Sequence, residues 1–336
     1  MSINVPINPT YKETINHSAK MWEEKKCKKY REYRKKWSHN PKNHILEEVP
    51  LHLDIEPTNA CNLKCPMCAR TVLLQDSNKK NSFPITTMDM DLYRKIIDEA
   101  TEIGVYSIKL NWLGEPLIHP ELVNMVKYAK DKGIIDVMLN TNAVLLSEKI
   151  AKDLIEAGLD KIFFSFDSPY KEKYEEIRVG ADYESTLENI KRFVEIRNKM
   201  GKTSPLTRVS MVLMKDNQDE YEGYVNLFKD IVDVVAYVEY RTPVGESIVE
   251  DDKIIDFSCS QLWQRMFVSA DGDVIVCCVD SEKEYVVGNL HKDSIRNIWQ
   301  NNKYMHIRNM HKKGNCLKVS ICSKCDLPFK KQDGDV

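Results

Sequence analysis

Between residues 51 and 245 the sequence alternates short apolar, β-rich runs with longer helical stretches. The runs predict six strands, at Leu51–Glu56, Ser107–Trp112, Asp136–Asn140, Lys161–Phe166, Thr207–Met214 and Val234–Arg241. Helices are predicted between them, near residues 89–103, 120–132, 147–157, 184–199 and 219–231. Strands that alternate with helices indicate parallel βαβ units. Six units are too few for a closed eight-stranded barrel, so we expect an α/β fold built on a partial, TIM-like (β/α)6 barrel.

The segment before the barrel has a different pattern. Residues 10–45 carry eleven Lys or Arg against four Glu. Four aromatic residues interleaved with these charges fit one helical face loosely: Trp22, Tyr30, Tyr33 and Trp37. This predicts an amphipathic helix packed on the body, with charges that either form a solvated face or contact an anionic substrate, a nucleic acid or an acidic partner.

The segment after the barrel is short and rich in cysteine. The run from Phe267 to Val276 predicts a β-hairpin that turns at Asp271-Gly272, and Ser294–Met310 predicts a helix. We therefore expect three parts: a basic helical extension over residues 1–48, a barrel over 49–248, and a small hairpin-plus-helix domain over 249–336.

Composition excludes some classes of protein. The chain has 336 residues, a formal net charge of −2, 42% hydrophobic and 30% charged residues, which is ordinary for a globular protein. The charge gives no reason to expect nucleic-acid binding. No apolar stretch approaches the roughly 20 residues that cross a bilayer, and the first residues lack a secretory signal. We expect a cytoplasmic protein without a membrane partner.

Three of the ten cysteines follow the first predicted strand closely. Cys61, Cys65 and Cys68 have the spacing C-x3-C-x2-C. Clustered cysteines in a reducing compartment bind metal or do redox work more often than they form disulfides. Three thiolates can hold three irons of a cubic iron–sulfur cluster and leave the fourth iron open to a ligand. A zinc site would need a fourth ligand, and no His or Cys follows within the next twenty residues.

This triplet resembles the signature of the radical S-adenosylmethionine (radical SAM) superfamily. Met67 takes a position that is usually aromatic, and its thioether can still pack against adenine. In that family the open iron binds S-adenosylmethionine, whose reductive cleavage yields a 5′-deoxyadenosyl radical that abstracts hydrogen from the substrate. The resemblance therefore implies an enzyme, a SAM-binding [4Fe–4S] cluster, S-adenosylmethionine, and an electron donor such as flavodoxin or ferredoxin.

Polar residues at the ends of later predicted strands match the family's cofactor contacts. The Gly-Glu-Pro segment that starts at Gly114 resembles the motif that binds the amino group of S-adenosylmethionine. The cofactor contacts that the resemblance implies are Met67, Gly114, Glu115, Asn140, Asn142, Ser165, Asp167 and Arg178. Each strand-end residue alone is equally compatible with simple capping, but together they would share the rim where barrel active sites assemble.

A second group of cysteines lies near the end of the chain: Cys259, Cys277, Cys278, Cys316, Cys322 and Cys325. Four thiolates suit a complete [4Fe–4S] cluster or zinc. The segments Gly288–Leu290, Ser294–Trp299 and Cys322–Cys325 resemble the SPASM/twitch extensions of radical SAM enzymes. That resemblance implies one auxiliary [4Fe–4S] cluster, and we expect Cys259, Cys277, Cys322 and Cys325 as its ligands, with Cys278 and Cys316 as spares.

The residues from Gly288 to Cys325 are similar in pattern to the aminocyclitol dehydrogenases of the superfamily, known from the butirosin pathway. These oxidise a secondary alcohol to a ketone. We therefore expect a dehydrogenase-like radical SAM oxidoreductase that oxidises or epimerises a small hydroxylated molecule, a sugar or aminocyclitol. Arg241 is the candidate side chain near the reacting carbon, and no catalytic base is assigned.

Two alternatives stay open. One is a radical SAM/SPASM peptide maturase, disfavoured because the basic leader is too short and too helical for a peptide-recognition module of roughly eighty residues. The other is a non-catalytic iron–sulfur or zinc scaffold, which would have no use for the polar strand-end residues Glu115, Asn140 and Asp167.

Overall fold

The computed structural model describes residues 3–77, 83–241 and 254–330, and a ten-stranded sheet forms its centre. The strands are β1 (Tyr11–Ile15), β2 (His52–Ile55), β3 (Ser107–Leu110), β4 (Asp136–Thr141), β5 (Lys161–Ser165), β6 (Leu206–Leu213), β7 (Val234–Glu239), β8 (Arg265–Val268), β9 (Asp273–Ile275) and β10 (Val286–Asn289). Their spatial order is β1-β7-β6-β5-β4-β3-β2-β8-β9-β10. The six neighbouring strands β2 to β7 are all parallel. The prediction of a partial (β/α)6 barrel is therefore confirmed.

The helices of the described residues are α1 (His17–Glu24), α2 (Lys28–Lys42), α3 (Ala69–Gln75), α4 (Met90–Glu102), α5 (Leu122–Asp131), α6 (Glu148–Glu156), α7 (Lys171–Ile177), α8 (Tyr183–Lys199), α9 (Tyr221–Phe228), α10 (Gln261–Gln264), α11 (Ile295–Gln300), α12 (Asn302–Lys312) and α13 (Ser320–Ser323). All five helices predicted within the barrel are present. Gly104 and Gly133 follow α4 and α5 with φ of 88° and 99°, the left-handed conformation that ends helices. None of the described helices is long and apolar enough to cross a bilayer.

Both ends of the chain join the barrel sheet more closely than the pattern predicted. β1 pairs antiparallel with β7, so the N-terminal segment contributes a strand as well as helices. β8, the first strand of the predicted hairpin, pairs parallel with β2 and antiparallel with β9. The predicted boundary between residues 248 and 249 lies outside the described residues.

One predicted helix is divided in two. The expected helix over Ser294–Met310 breaks at Asn301, which is extended, with φ −69° and ψ 165°. The Asn301 side chain accepts a hydrogen bond from the N–H of Tyr304 at 2.9 Å and donates to the carbonyl of Val287 at 2.7 Å. Asparagine is a favoured N-cap, so it ends α11, begins α12 and ties both to β10.

The aromatic residues of the basic segment close the amino end of the barrel. Tyr30, Tyr33 and Trp37 lie on one face of α2 and are buried, and Trp37 packs edge-on against His52 of β2 at 5.8 Å between ring centroids. The predicted amphipathic packing is thus confirmed for α2, whereas Trp22 lies on α1.

Side chains of the parallel strands alternate between two faces of the sheet. Outward-pointing residues such as Leu53 and Leu139 are fully buried against the helices and form the main core. The inward face is different, because Lys109, Phe163 and Arg208 line an open interior of about 480 Å³, here called the barrel cavity. Closed TIM barrels fill this space with branched apolar side chains, whereas here it stays open and carries charged side chains, so it has room for a ligand.

Candidate active site

The three clustered cysteines lie on the loop between β2 and α3, at the carboxyl end of the sheet. They line a space of about 380 Å³, here called the cofactor cavity. Burial raises the pKa of Cys61 and Cys65. A bound metal would hold such thiols as thiolates. Hydrogen-bond donors are already in place, because the N–H of Leu63 lies 3.4 Å from the Cys61 sulfur and the Arg178 guanidinium lies 3.9 Å from the Cys65 sulfur.

The loop after β3 packs directly on the cysteine loop. The N–H of Glu115 donates to the carbonyl of Ala60 at 2.8 Å. A Cβ atom at Gly114 would lie 2.0 Å from the carbonyl oxygen of Thr58 and 2.6 Å from that of Ala60. These are backbone atoms that cannot rotate away, so only glycine permits the contact. The contact fixes the Gly-Glu-Pro segment against the cysteines.

Glu115 presents a buried carboxylate to the cofactor cavity; the residue is 2% exposed. It accepts hydrogen bonds from the Thr141 hydroxyl at 2.7 Å and from the backbone N–H groups of Asn142 and Leu117 at 2.7 and 3.1 Å. Burial raises its pKa, and these hydrogen bonds oppose the shift. No basic side chain of the described residues forms an ion pair with it. A carboxylate offers about four acceptor positions, so one remains for a ligand cation.

Two asparagine side chains in the same cavity have unused polar atoms. The amide oxygens of Asn111 and Asn140 are buried and have no hydrogen-bond partner among the described residues, and both residues line the cofactor cavity. Buried polar atoms without a partner are rare in folded proteins. The donor set therefore fits a polar ligand here: three thiols for a cluster, a carboxylate for an ammonium group and two free amide oxygens.

The structure brings seven of the eight predicted cofactor contacts to the cofactor cavity. The remaining one, Asp167, does not line it. Its carboxylate is fully buried, bonds the Arg178 guanidinium and accepts the Val212 N–H at 2.7 Å. Burial lowers the pKa of Arg178, but the negative charges of Asp167 and Cys65 together raise it by more, so the net shift is upward. Asp167 thus holds a charged Arg178 beside Cys65 instead of facing the cavity.

The later cysteines surround a second space, here called the auxiliary pocket. It is lined by Cys259, Cys277, Cys316, Cys322 and Cys325. Burial raises the pKa of Cys259 to about 12 and that of Cys322 well above its usual range, as expected for ligands that only a metal would ionise. All four predicted ligands lie here, together with the spare Cys316.

Cys278, the other spare, does not line the auxiliary pocket and instead faces the cofactor and barrel cavities. Its neighbour Cys277 lines the auxiliary pocket instead, at the start of a turn that the N–H of Asp280 closes by donating to the Cys277 carbonyl at 3.2 Å. This arrangement agrees with the preference for Cys277 over Cys278 as the ligand.

A buried histidine contacts the auxiliary pocket. The Nδ1 atom of His311 accepts the N–H of Cys259 at 3.1 Å. The ring proton is therefore on Nε2, which lies 3.4 Å from the Cys322 sulfur. Burial lowers the pKa of His311 to about 3, so the ring stays neutral and donates to sulfur.

Arg241 lies where the three spaces meet, since it lines the cofactor cavity, the auxiliary pocket and the barrel cavity. Its guanidinium donates to the sulfurs of Cys325 at 3.2 Å and Cys278 at 3.9 Å, and it pairs with Asp326 at 3.3 Å. The side chain predicted near the reacting carbon is thus anchored on the auxiliary side.

Comparison with known proteins identifies the family. A model of the radical SAM superfamily matches residues 55–228, about half of the chain. The chain belongs to the radical SAM superfamily. A second model, SPASM, described as an iron–sulfur cluster-binding domain, matches residues 259–326.

The relatives of this radical SAM protein have names that describe different activities. The "tungsten-containing aldehyde ferredoxin oxidoreductase cofactor-modifying protein" of Pyrococcus furiosus is 24% identical over 330 residues, covering 82% of this chain and 89% of the relative. A "probable GTP 3′,8-cyclase" of Methanococcus maripaludis is 34% identical over 245 residues, covering 71% of this chain and 74% of the relative.

Solved structures share the fold at low identity. BtrN in complex with AdoMet and 2-DOIA is 19% identical, with a TM-score of 0.54 over 84% of this chain and 94% of that one. SuiB of Streptococcus suis bound to the precursor peptide SuiA is 16% identical, with a TM-score of 0.62 over 90% of this chain and 76% of that one. The predicted superfamily, its SPASM-type extension, and the cofactors S-adenosylmethionine and iron–sulfur clusters are confirmed by these matches.

Several site residues were not predicted from the sequence. Asn111 lies near the end of a predicted strand, as Asn140 does, and that shared position is a signal that could have found it. Thr141 follows directly after Asn140 and was not predicted, although its hydroxyl donates a hydrogen bond to the Glu115 carboxylate. No local pattern singles out His311, which reaches the auxiliary pocket only through the packing of α12.

Proposed function

We propose that this radical SAM protein is an oxidoreductase that removes hydrogen from a small hydroxylated molecule, a sugar or aminocyclitol, and oxidises or epimerises it. The observation that carries the proposal is the position of Arg241, which lines both the cofactor cavity and the auxiliary pocket and donates to the sulfurs of Cys278 and Cys325. A substrate that reaches the cofactor cavity would lie against the wall that carries the auxiliary cysteines. This arrangement suits removal of both a hydrogen atom and an electron.

The residues of the cofactor cavity have separate tasks in this proposal. When bound, the cluster and S-adenosylmethionine supply a carbon-centred radical that takes one hydrogen atom from the substrate. Cys61, Cys65 and Cys68 would hold the cluster. Glu115 would bind the ammonium group of S-adenosylmethionine, and Arg178, kept charged by Asp167, would bind its carboxylate.

Oxidation of a secondary alcohol to a ketone removes a hydrogen atom, a proton and an electron. The hydrogen atom would be taken up by the cofactor in the cofactor cavity, and the proton would pass to solvent. The electron requires an acceptor, and we propose one auxiliary [4Fe–4S] cluster held by Cys259, Cys277, Cys322 and Cys325. An electron donor such as flavodoxin or ferredoxin would supply the electron that cleaves S-adenosylmethionine.

A second candidate is modification of a peptide, favoured by the likeness to SuiB with its bound precursor peptide. Among the described residues, the segment before β2 joins the barrel itself, because β1 pairs into the barrel sheet and α2 packs on the barrel. Peptides and small hydroxylated molecules should therefore be tested side by side.

The proposal is tested by anaerobic turnover with S-adenosylmethionine and a strong reductant, using sugars, aminocyclitols and peptides as substrates. We expect a ketone or an epimer from a hydroxylated substrate. Replacing Cys322 with Ser should preserve formation of 5′-deoxyadenosine but abolish the ketone, whereas Cys27→Ser, at an exposed thiol that lines neither the cofactor cavity nor the auxiliary pocket, should change neither. A modified peptide with no small-molecule product would support the second candidate.

A further inference from the structure

The barrel cavity has an excess of positive charge. Its walls include seven basic side chains against two carboxylates, Glu13 and Glu23. The basic side chains are Lys20, Arg34, Lys109, Lys161, Arg208, Arg241 and Arg265. Three of them, Lys109, Arg208 and Arg265, lie on the parallel strands β3, β6 and β8, and these three are here called the cation cluster.

Some cations of this cavity have counter-charges and others do not. Lys161 pairs with Asp136 at 2.7 Å, and Arg265 pairs with Asp54 at 3.2 Å. Among the described residues, no carboxylate forms an ion pair with Lys109 or Arg208. Burying a charge without a counter-charge costs free energy. Lys109 and Arg208 are therefore suited to bind an anion that would neutralise them.

The guanidinium groups of the cation cluster also have unused donors. Arg208 lies on the ring of Phe163, 3.7 Å from its centroid, and donates to the Tyr11 hydroxyl at 3.1 Å. Its Nε atom is buried without a hydrogen-bond partner among the described residues, and so is the Nε atom of Arg265. The two free Nε–H groups and the Lys109 ammonium group are the kind of charged donors from which an oxyanion accepts hydrogen bonds.

The electrostatics of Lys109 agree with this arrangement. Burial, together with the smaller effect of the Arg208 and Arg265 charges, lowers its pKa to about 8, although Asp54 opposes the shift. Its ammonium group lies 5.4 Å from the Phe163 ring centroid. An anion between these cations would relieve their mutual repulsion.

The barrel cavity adjoins the cofactor cavity. Val238, Arg241 and Cys278 line both. A molecule anchored at the cation cluster would therefore extend toward the carboxyl end of the sheet, where the three cysteines lie. The cation cluster would hold one end of such a molecule, and the other end would lie near the three cysteines.

We propose that the cation cluster binds an oxyanion, a phosphate or a carboxylate, carried by the hydroxylated substrate. This inference rests on the proposed function and narrows it to sugars or cyclitols with a phosphate or carboxylate group. A free aminocyclitol, which is cationic, would be repelled by the same side chains.

The test measures binding of simple oxyanions to the full, reconstituted chain by titration calorimetry under anaerobic conditions. The probes are inorganic phosphate, inorganic pyrophosphate and glucuronate, with glucose and glucosamine as uncharged and cationic controls. We expect at least one oxyanion to bind and neither control to do so. A preference between the phosphate probes and glucuronate identifies the source of the oxyanion.

Substitutions in the cation cluster test whether the oxyanion binds there. Arg208→Gln and Lys109→Gln should each weaken oxyanion binding about tenfold or more, since each removes a charge-assisted hydrogen bond. Lys149→Gln, on α6 with a side chain that is 85% exposed, is the matched control and should bind as the wild type does. Arg208→Lys, which keeps the charge, should retain more affinity than Arg208→Gln, and circular dichroism establishes that each variant is folded.

Absence of binding by all three oxyanions, or equal affinity in the wild type and the folded variants, would overturn the inference. Cleavage of S-adenosylmethionine is measured on the same samples to separate the two claims. Cleavage without oxyanion binding rejects the cation cluster alone, whereas oxyanion binding without cleavage rejects the proposed function.

Discussion

Replacing Gly114 with Ala should disable the cofactor cavity while the barrel stays folded. The new Cβ would lie 2.0 Å from the carbonyl oxygen of Thr58, whereas real Cβ atoms stay beyond about 3.0 Å. The Gly-Glu-Pro loop must therefore move about 1 Å away from the cysteine loop. A displacement of this size can lower a reaction rate about 100-fold. The accompanying overpacking should reduce the free energy of unfolding by about 1–3 kcal/mol.

The assay for Gly114→Ala is anaerobic formation of 5′-deoxyadenosine, together with the affinity for S-adenosylmethionine and the melting temperature. Gly223→Ala is the matched control, because its Cβ would lie 3.5 Å from the nearest atoms, an ordinary contact inside α9. We expect the control to keep wild-type cleavage. Wild-type affinity and cleavage in Gly114→Ala would refute the role of this loop contact in positioning the cofactor.

Three further predictions concern single side chains. Glu115→Gln should weaken binding of S-adenosylmethionine about tenfold or more in equilibrium dialysis, because its amide nitrogen would face a hydrogen-bond donor and the negative charge is lost; unchanged affinity would contradict this role. Lys109→Met should raise the free energy of unfolding at pH 7 by about 1–3 kcal/mol. The pKa of Lys109 in the folded protein is about 8, below its ordinary value of 10.5. The free energy of unfolding of the wild type therefore rises between pH 8 and pH 10.5. Urea titrations should show that the stability difference between Lys109→Met and the wild type shrinks over that range. His311→Leu should lower the reduction potential of the auxiliary cluster in an electron paramagnetic resonance titration, because a hydrogen bond to the Cys322 sulfur favours the reduced, more negative cluster; an unchanged potential would show that this bond does not tune it.

The barrel could be predicted from the sequence because its signals are local. Each parallel strand is a short apolar run, and the cysteine triplet lies in eight consecutive residues. The strand-end motifs around Glu115 and Arg178 are equally compact. Features of this kind do not depend on which segments meet in space.

Other features depend on tertiary structure and have no local signal. Lys109, Arg208 and Arg265 are far apart in the sequence and become one cluster only when β3, β6 and β8 curve around the same interior. Asp167 was expected to contact the cofactor as other strand-end residues do, yet it turns away to bond Arg178. β1 was missed because its sequence, Tyr-Lys-Glu-Thr-Ile, has three consecutive polar residues and lacks the alternation of a half-buried strand; it becomes a strand by pairing with the edge of β7.

The central claim is that Cys61, Cys65 and Cys68 hold the cluster that cleaves S-adenosylmethionine, with a second cluster held elsewhere in the chain. The most direct measurement is iron content together with 5′-deoxyadenosine formation after anaerobic reconstitution, in the wild type and in the triple Cys→Ala variant. We expect about eight irons per chain and active cleavage in the wild type, against about four irons and no cleavage in the variant. Equal iron content in both proteins, or no 5′-deoxyadenosine from the reduced wild type, would contradict the claim.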